Sequence, residues 1–455
     1  MKTIKNYSIY LMLFAFLGLN ACNKNWLNGK PSKALVIPTS PEDYQSLLDN
    51  PAMNDNYASL YMLGDGDFYL TDSVYASLDQ PEIGAYTWAE TKSFYGGQKN
   101  YDLLQAYSNV LDANVVLDGI KSLQTQPSTI AVYNNVKGSA LFYRSNIFYD
   151  LAQMFCKVYN SATANTDLGL PLRVSANVNL VINRSSVQQT YDQIINDLLT
   201  AARLLPVTQL YPTRPSKPAV FGLLARVYLS QQNYTKALLY ADSCLSISNT
   251  LVDFNTLNPT KNYPIPRFNN EVIFHNLLCN YEAFSTGLQL VDSVLYQSYA
   301  SNDLRRNIYF TPEPGGFSFR GSYNGNSEFF GGVATDEMYL IRAECYARAG
   351  NTTSAMNDIN SLLKTRWVTG TYTNLTASSS DSALILILNE RRKELCFRGF
   401  RWTDLRRLNN DPRFQITLTR IINGQTYTLP PNSTRYVLPI DDYEIQYGGL
   451  VQNPR

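Results

Sequence analysis

FGLLARVYLSQQNYTKALLYA, residues 221–241, reads as two helices joined by a tight turn. Phe221, Leu224, Ala225 and Tyr228 recur at helical spacing, Gln231-Gln232-Asn233 interrupts them, and Tyr234, Ala237 and Ala241 resume the pattern. The alternation of small and large side chains is what a close helix crossing needs. An alanine on one helix makes the hole into which a tyrosine or leucine of its neighbour packs.

Tyr339, Ala343, Tyr346, Ala355 and Ile359 reproduce much of this pattern, with Gly350-Asn351 as the turn. The spacing is that of a tetratricopeptide helix pair, although any antiparallel pair shares part of it. Working outward, Leu103, Tyr107, Val110, Asn114 and Leu117 advance by fours and threes along residues 101–123 and line one helix face, with residues 133–155 as a partner helix. Asn114 on that apolar face is expected to be a buried hydrogen-bonder between helices. A further helix is expected over residues 186–205, started by Ser185-Ser186 and stopped by Pro206.

Two long stretches carry no helical period. Residues 64–100 interleave Gly64, Gly66, Gly84, Gly96 and Gly97 with Phe68, Tyr69, Tyr75, Tyr86, Trp88, Phe94 and Tyr95. Residues 249–332 carry Pro264, Pro266, Pro312 and Pro314 with the rings Phe317, Phe319 and Tyr323. Long turn-rich insertions into a helical scaffold are commonly functional or disordered, and the aromatic density argues against disorder. They are the expected place for a binding site.

A net charge of +1 gives no electrostatic footprint for nucleic acid or for a polybasic membrane contact. Tyrosine is the unusual entry, 33 against 20 Phe and 4 Trp, and rings with a polar tip suit wet recognition surfaces. Cys156, Cys244, Cys279, Cys345 and Cys396 lie in apolar surroundings with no CxxC pair, so they read as small core hydrophobes, with disulfides left open. His275 is the only histidine. A His-rich zinc site is thereby excluded, a Ser-His pair would rest on it alone, and its apolar context reads as structural.

Lys2 and Lys5 head an apolar run from Ile9 to Leu19 that is too short to span a bilayer, and Leu19-Asn20-Ala21 leads directly into Cys22. This pattern predicts a lipoprotein signal peptide over residues 1–21, cleavage, and acylation of Cys22 as the new N-terminus; the alternatives are an ordinary secretory signal or a retained anchor helix. Residues 22–40 then form a lipid-anchored linker. Several acyl chains, palmitate among them, hold such a protein to a membrane almost permanently, where one chain does so only marginally.

Glu390-Arg391-Arg392-Lys393-Glu394-Leu395-Cys396-Phe397-Arg398-Gly399-Phe400-Arg401-Trp402-Thr403-Asp404-Leu405-Arg406-Arg407 resembles the signature of the SusD/RagB family of outer-membrane nutrient-binding lipoproteins. The ending Tyr436-Val437-Leu438-Pro439-Ile440, Glu444-Ile445 and Gln452-Asn453-Pro454 resembles that family's closing segment. Asn302-Asp303-Leu304-Arg305, the helix from Glu337 to Glu344, Arg214-Pro215-Ser216-Lys217, and Cys22 with Trp26-Leu27 and Pro31 fall in the family's order. Two departures stand out: Arg398 occupies a position often acidic in the family, and Asn23-Lys24-Asn25 lacks the acidic cluster that sometimes follows an exported cysteine. Within the signature, Glu390, Arg391, Glu394 and Arg398 are spaced to pair along or between helices while Leu395 and Trp402 pack inward, which is a scaffold reading.

The resemblance implies a mainly all-α fold: tetratricopeptide-like helix pairs in a right-handed superhelical scaffold with long irregular aromatic-rich insertions. It implies one SusD-like globular domain over residues 41–455, with an N-terminal half of about 41–250 and a C-terminal half of about 251–455. It implies, further, a cell-surface protein of a Gram-negative outer membrane that captures a nutrient, usually an oligo- or polysaccharide, and hands it to a SusC-like TonB-dependent transporter. No cofactor, metal or catalytic residue is expected. Glutamates surrounded by arginines would be held ionised, which is wrong for a general acid. Gly64-Asp65-Gly66-Asp67 lacks the remaining ligands of a calcium loop and reads as a solvated turn.

The candidate ligand contacts are Trp88, Tyr86, Phe94, Tyr95 and Asn100 from the first insertion and Arg320 and Tyr323 from the second. None matches a family motif, and each ring reads equally as loop packing. Trp88 ranks first, because Trp26, Trp367 and Trp402 fall in the linker or the helical scaffold. The aromatic loops favour a sugar over a peptide or another nutrient, with a lipid-anchored enzyme as the third alternative.

Overall fold

The helix pair at residues 221–241 is realised in the computed structural model, which describes residues 38–123 and 127–455. The principal helices are α1 (Pro41–Leu48), α2 (Tyr101–Ile120), α3 (Ile130–Phe155), α4 (Val187–Leu204), α5 (Lys217–Ser230), α6 (Tyr234–Leu245), α7 (Thr335–Arg348), α8 (Thr352–Lys364), α9 (Ser380–Glu394), α10 (Phe400–Leu408) and α11 (Asp442–Gln446). Residues 1–40 and 41–455 are two separate units, and the second holds all of these elements. The signal-peptide and Cys22 expectations lie outside the described residues. Among the described residues, no helix is long and apolar enough to cross a membrane.

The fold is mostly helical, as expected. Successive helices are spatial neighbours: α2 packs on α3, α3 on α4, α4 on α5, α5 on α6, α6 on α7, and α7 on both α8 and α9. Ala225, Ala237, Ala241, Ala343 and Ala355 are fully buried at these crossings. Tyr228 stacks on Tyr240 of the paired helix with ring centroids 5.6 Å apart and planes 6° apart. The two pairs turn by the same device. Gln232 (φ +60°) and Gly350 (φ +83°) take the left-handed conformation that ends a helix, and the next residue's N–H, on Asn233 or Asn351, donates to the carbonyl of Tyr228 or Tyr346 at 2.9 Å. Each asparagine then caps the following helix, accepting from the N–H of Lys236 at 3.2 Å or Ser354 at 3.0 Å. A capping box between Ser186 and Gln189 starts α4.

The strands are short antiparallel ladders: β1 (Phe68–Tyr69) with β3 (Leu290–Val291), β2 (Val272–Phe274) with β6 (Val333–Ala334), β4 (Phe310–Glu313) with β5 (Gly316–Phe319), and β7 (Leu418–Ile422) with β8 (Gln425–Leu429). The β1–β3 ladder ties the first insertion to the second, pairing Phe68 with Val291.

Several expectations are corrected here. Residues 64–100 are not free of helix: Gln80–Tyr86 and Thr91–Phe94 form short helices, so Tyr86 and Phe94 sit on regular structure. Within the signature, α9 ends at Glu394, and Phe397 (φ +57°) and Gly399 (φ +79°) turn the chain before α10. Arg398 is therefore off the helix that carries Glu390, Arg391 and Glu394. Gly399 is required twice, by its left-handed φ and because a Cβ there would lie 2.9 Å from the Tyr61 hydroxyl. Asp65 and Asp67 are no solvated turn. Both are buried, Asp67 accepts from Arg392 at 3.2 Å, and burial together with Asp67 pushes the Asp65 carboxyl well above its ordinary range.

The scaffold reading of the signature holds. Arg391 donates to Asp404 at 2.8 Å, Arg407 reaches Glu344 at 2.6 Å, and Arg305 bridges Asp303, Glu390 and Glu394. Leu395 and Trp402 are buried. Arg398 meets Asp336 at 2.6 Å, which accounts for a cation at a position often acidic in the resembled family. Asn114 is a buried hydrogen-bonder, accepting from Arg144 at 2.8 Å and donating to the Arg173 carbonyl at 2.9 Å. The five cysteines are buried and free, and His275 is buried against the Asn324 side chain at 2.9 Å. Burial and the nearby Arg267 push that imidazole down to about 4.

Candidate functional site

The seven predicted contact residues are built into the interior or its hydrogen-bond network. Trp88 is 2 % exposed and donates its Nε1 to the Gly64 carbonyl at 3.0 Å. The Tyr86 hydroxyl accepts from the Leu70 N–H at 2.8 Å, and the Arg420 guanidinium lies 3.7 Å over its ring. Phe94 is fully buried, edge-on to Tyr95 at 4.8 Å. Buried Tyr323 donates to Glu271 at 2.8 Å, and Arg320 is spent on the carbonyls of Pro259, Lys261 and Asn307 at 2.6 to 3.0 Å. Tyr86, Trp88, Tyr95 and Tyr323 share one physical reason. A tyrosine hydroxyl or tryptophan N–H that finds a partner inside allows its large ring to be buried, so aromatic-rich insertions fold into core.

Glu271, Asp336 and Glu394 bring oxygens within 4.8 Å of one another, an acidic cluster of metal-site dimensions. Guanidinium groups already hold it. Arg366 donates to Glu271 at 2.8 Å and to Glu394 at 2.7 Å, and Arg398 to Asp336 at 2.6 Å. Burial pushes Glu271 up to about 7 against the pull of Arg366. All three carboxylates are sealed from solvent and fit a structural ion network better than a cation or a catalytic acid.

Tyr95 and Asn100 position something else. The Tyr95 hydroxyl donates to the Pro439 carbonyl at 2.9 Å and accepts from Asn100 Nδ2 at 2.6 Å. Asn100 Oδ1 caps α2 through the Leu103 N–H at 2.8 Å, and the Asn100 N–H donates to Asp441 Oδ2 at 3.1 Å. Asp441 in turn caps α11 by accepting from the Glu444 N–H at 3.1 Å. The first insertion thus clamps the start of α11 against the start of α2.

Between α2, α11 and the loop around residues 171–182 lies an open groove of about 540 Å³. Its exposed rings are Tyr443 on α11 and Tyr447 at the helix's C-cap, 44 % and 69 % exposed, with centroids 4.8 Å apart and planes 46° apart. Lys99 places its ammonium 3.7 Å over the Tyr443 ring. The groove is also lined by the polar Asn100, Arg173, Asn179 and Glu444 and by the exposed aliphatics Leu104, Val178, Leu180 and Val181. Burial and the adjacent Asp441 push the Glu444 carboxyl up, against Lys99 and Arg173. Tyr107 fixes the loop by donating to the Pro171 carbonyl at 2.8 Å. Of the predicted residues only Asn100 lines this groove. The rings that face water, Tyr443 and Tyr447, were legible as two tyrosines at helical spacing in Asp441-Asp442-Tyr443-Glu444-Ile445-Gln446-Tyr447-Gly448-Gly449, a segment with little apolar surface to bury them.

Residues 25–229 match a family model described as starch-binding associating with outer membrane, and residues 336–455 match the model of the SusD family. No curated protein matches. Among solved structures, a SusD-like carbohydrate binding protein from Bacteroides vulgatus is 22 % identical with a TM-score of 0.69, over 90 % of this chain and 97 % of that one. A SusD superfamily protein from Bacteroides thetaiotaomicron is 18 % identical with a TM-score of 0.73, over 92 % and 100 % of the two chains. A laminarin binding SusD-like protein is 16 % identical with a TM-score of 0.65, over 92 % and 100 %. At these identities the likeness is one of fold.

Proposed function

We propose that this chain, which belongs to the SusD/RagB family, is a binding protein that captures a segment of a glycan in the groove between α2 and α11 and delivers it to a SusC-like TonB-dependent transporter. Acyl chains on Cys22 hold it at the outer face of the outer membrane, and residues 41–455 act as one ligand-binding domain. The observation that carries the reading is the pair of water-facing tyrosines, Tyr443 and Tyr447, in a groove they share with Lys99, Arg173, Asn179 and Glu444. An aromatic ring stacks on the apolar face of a pyranose while amide, carboxylate and cationic groups take its hydroxyls. The groove is open, so it grips a few rings of a longer chain without enclosing an end.

Catalysis is no part of the proposal. Hydrolysis of a glycosidic bond needs two free carboxyl groups across the bond. Of the two carboxylates in the groove, Asp441 is committed to the N–H groups of Asn100 and Glu444, which leaves Glu444 alone. Capture needs only modest affinity, because tethering beside the transporter raises the effective concentration.

Calorimetry against a panel of soluble polysaccharides and a matched peptide panel tests the reading, with product analysis of the incubated polysaccharides. Binding of at least one glycan without cleavage is the expected result. Exclusive binding of peptides, or glycan binding that survives loss of both tyrosines, would overturn it. Mass spectrometry of the membrane-extracted protein tests the anchor, which predicts a chain beginning at diacylated Cys22.

A further inference from the structure

Two of the groove's walls are loops, and each is closed at its own neck. Residues 168–170 and 184–186 meet antiparallel through the Leu168–Ser186 bridge. The Gly169 N–H donates to the Ser185 carbonyl at 2.7 Å and the Ser185 N–H to the Leu170 carbonyl at 2.9 Å, so residues 171–183 form one closed excursion. The second leaves at Leu438 and Ile440 and returns at Gln452 and Asn453. The Gln452 side chain accepts from the Ile440 N–H at 2.8 Å and donates to the Ile440 carbonyl at 2.7 Å, while Asn453 Nδ2 donates to the Leu438 carbonyl at 2.8 Å. Tyr443 and Tyr447 ride on this second excursion.

Arg184 stands where the two necks meet. Its Nε donates to the Gly169 carbonyl at 2.7 Å, and Nη2 to the carbonyls of Phe155 and Leu168 at 3.0 and 3.3 Å, which ties it to the end of α3 and to its own loop. Nη1 crosses to the other neck, meeting the Val451 carbonyl at 3.1 Å and Asn453 Oδ1 at 2.7 Å. Among the described residues, no other hydrogen bond and no ion pair joins residues 168–186 to residues 438–453. All five partners are neutral oxygens, so the planar fork of the guanidinium, and not a charge partner, is what this place uses. A lysine's single ammonium cannot span both necks. Neither Arg184 nor any of its five partners lines the groove, so whatever it does for the site it does through the walls.

We infer that Arg184 is a positioning residue for capture: it joins the two necks and so fixes the distance between the wall that carries Val178, Leu180 and Val181 and the wall that carries Tyr443 and Tyr447. The inference rests on the groove being the ligand site. Nitroxide labels at Val181→Cys and Asp442→Cys, both exposed and on opposite walls, report that distance, since the five described native cysteines are buried. The wild type is expected to give one narrow distance distribution and Arg184→Lys a broadened one. Unlabelled Arg184→Lys, assayed well below its melting temperature, should bind the polysaccharide that the wild type binds about fivefold more weakly, the size of one lost ring contact. Asn453→Ala, which takes one of the five acceptors and the bond to Leu438 but leaves those to α3 and the loop base, should move both readouts in the same direction. It decides alone should Arg184→Lys fail to fold. Lost stability by itself cannot give this pair of results, because a protein fully folded at the assay temperature would keep its wall spacing and its affinity. An unchanged distribution in the folded variants, or a broadened one with wild-type affinity, overturns the inference. Failure of the groove reading looks different: polysaccharide binding would then be untouched by Tyr447→Ala.

Discussion

Replacing Tyr447 by alanine separates a recognition ring from a packing ring. Tyr447 is 69 % exposed, and its ring neighbour is Tyr443, so its removal leaves no cavity and strands no buried partner. Stability should stay within about 0.5 kcal/mol of the wild type, as for other surface changes. A ring stacked on a sugar is worth about 0.5–1.5 kcal/mol by analogy with aromatic pairs, which predicts roughly two- to twelvefold weaker glycan binding. Trp88→Ala is the contrasting perturbation. Its ring is 2 % exposed and its Nε1 satisfies the Gly64 carbonyl, so truncation removes a buried aromatic and orphans an acceptor, at a cost of about 3–5 kcal/mol. Calorimetric affinity and denaturant midpoints, measured on both variants, give the discriminating pair. Tyr447→Ala should lose affinity at constant midpoint, and Trp88→Ala should lose midpoint. A Trp88→Ala protein with wild-type midpoint and weakened binding, alongside an unaffected Tyr447→Ala, would refute the reasoning and return the site to the first insertion.

Arg398→Glu should destabilise the fold by about 3–5 kcal/mol in urea melts, because it removes the partner of sealed Asp336 and sets a like charge beside it. Glu344 is held down at about 2: burial opposes the shift, but Arg407 and Arg348 outweigh it. Its folded pKa lies below the ordinary 4.5, so its contribution, about 3 kcal/mol, is present above pH 4.5 and lost as pH falls towards 2; the stability gap between wild type and Glu344→Gln should close over that window. Gly399→Ala should lower the melting temperature, since it forces a Cβ into a left-handed φ and to 2.9 Å from the Tyr61 hydroxyl; an unchanged melt would show that the turn relaxes. Cys22→Ser should move the protein from the membrane fraction to the soluble fraction of native cells, and full retention in the membrane would remove the lipid anchor from the proposal.

The helical scaffold was legible because its signals are local and redundant. Alanine and tyrosine spacing, a left-handed residue and an asparagine cap all fall within residues 221–241, and the same set returns around Gly350-Asn351. The signature was legible as scaffold for a similar reason, since alternating acids and arginines at helical spacing pair wherever the helices meet. Its break was harder to see. The charge spacing continues through Arg398, but Gly399 and the left-handed Phe397 turn the chain, and only the distant partner Asp336 explains where Arg398 goes. That pairing joins residues from two separate stretches of sequence and has no local trace.

The burial of the candidate rings was not legible because aromatic density was taken for exposure. A ring is buried at little cost where its polar tip finds a partner inside, and in the insertions that partner comes from elsewhere in the chain. Trp88 finds Gly64, Tyr95 finds Pro439, and Tyr323 finds Glu271, none of them a sequence neighbour. Tyr443 and Tyr447 reverse the case. Tyr443 lies on the five-residue helix α11 and Tyr447 caps its end, in a segment that runs from Asp441-Asp442 to Gly448-Gly449 with almost no local apolar surface to cover them, so water is their default environment. The sparse rings of a polar segment were therefore the better pointer to exposed aromatic surface than the dense rings of the insertions. The insertions act one step removed: Tyr95 and Asn100 fix Pro439 and Asp441, and so set where the exposed pair stands. Asn100→Ala should accordingly weaken glycan binding, because it removes the cap on α2 and the donor to the Tyr95 hydroxyl while the backbone N–H to Asp441 stays, and Asn100→Asp, which keeps the cap but not that donor, should restore helix stability more than binding. Full binding by Asn100→Ala would show that the exposed pair holds its place without the Asn100 side chain.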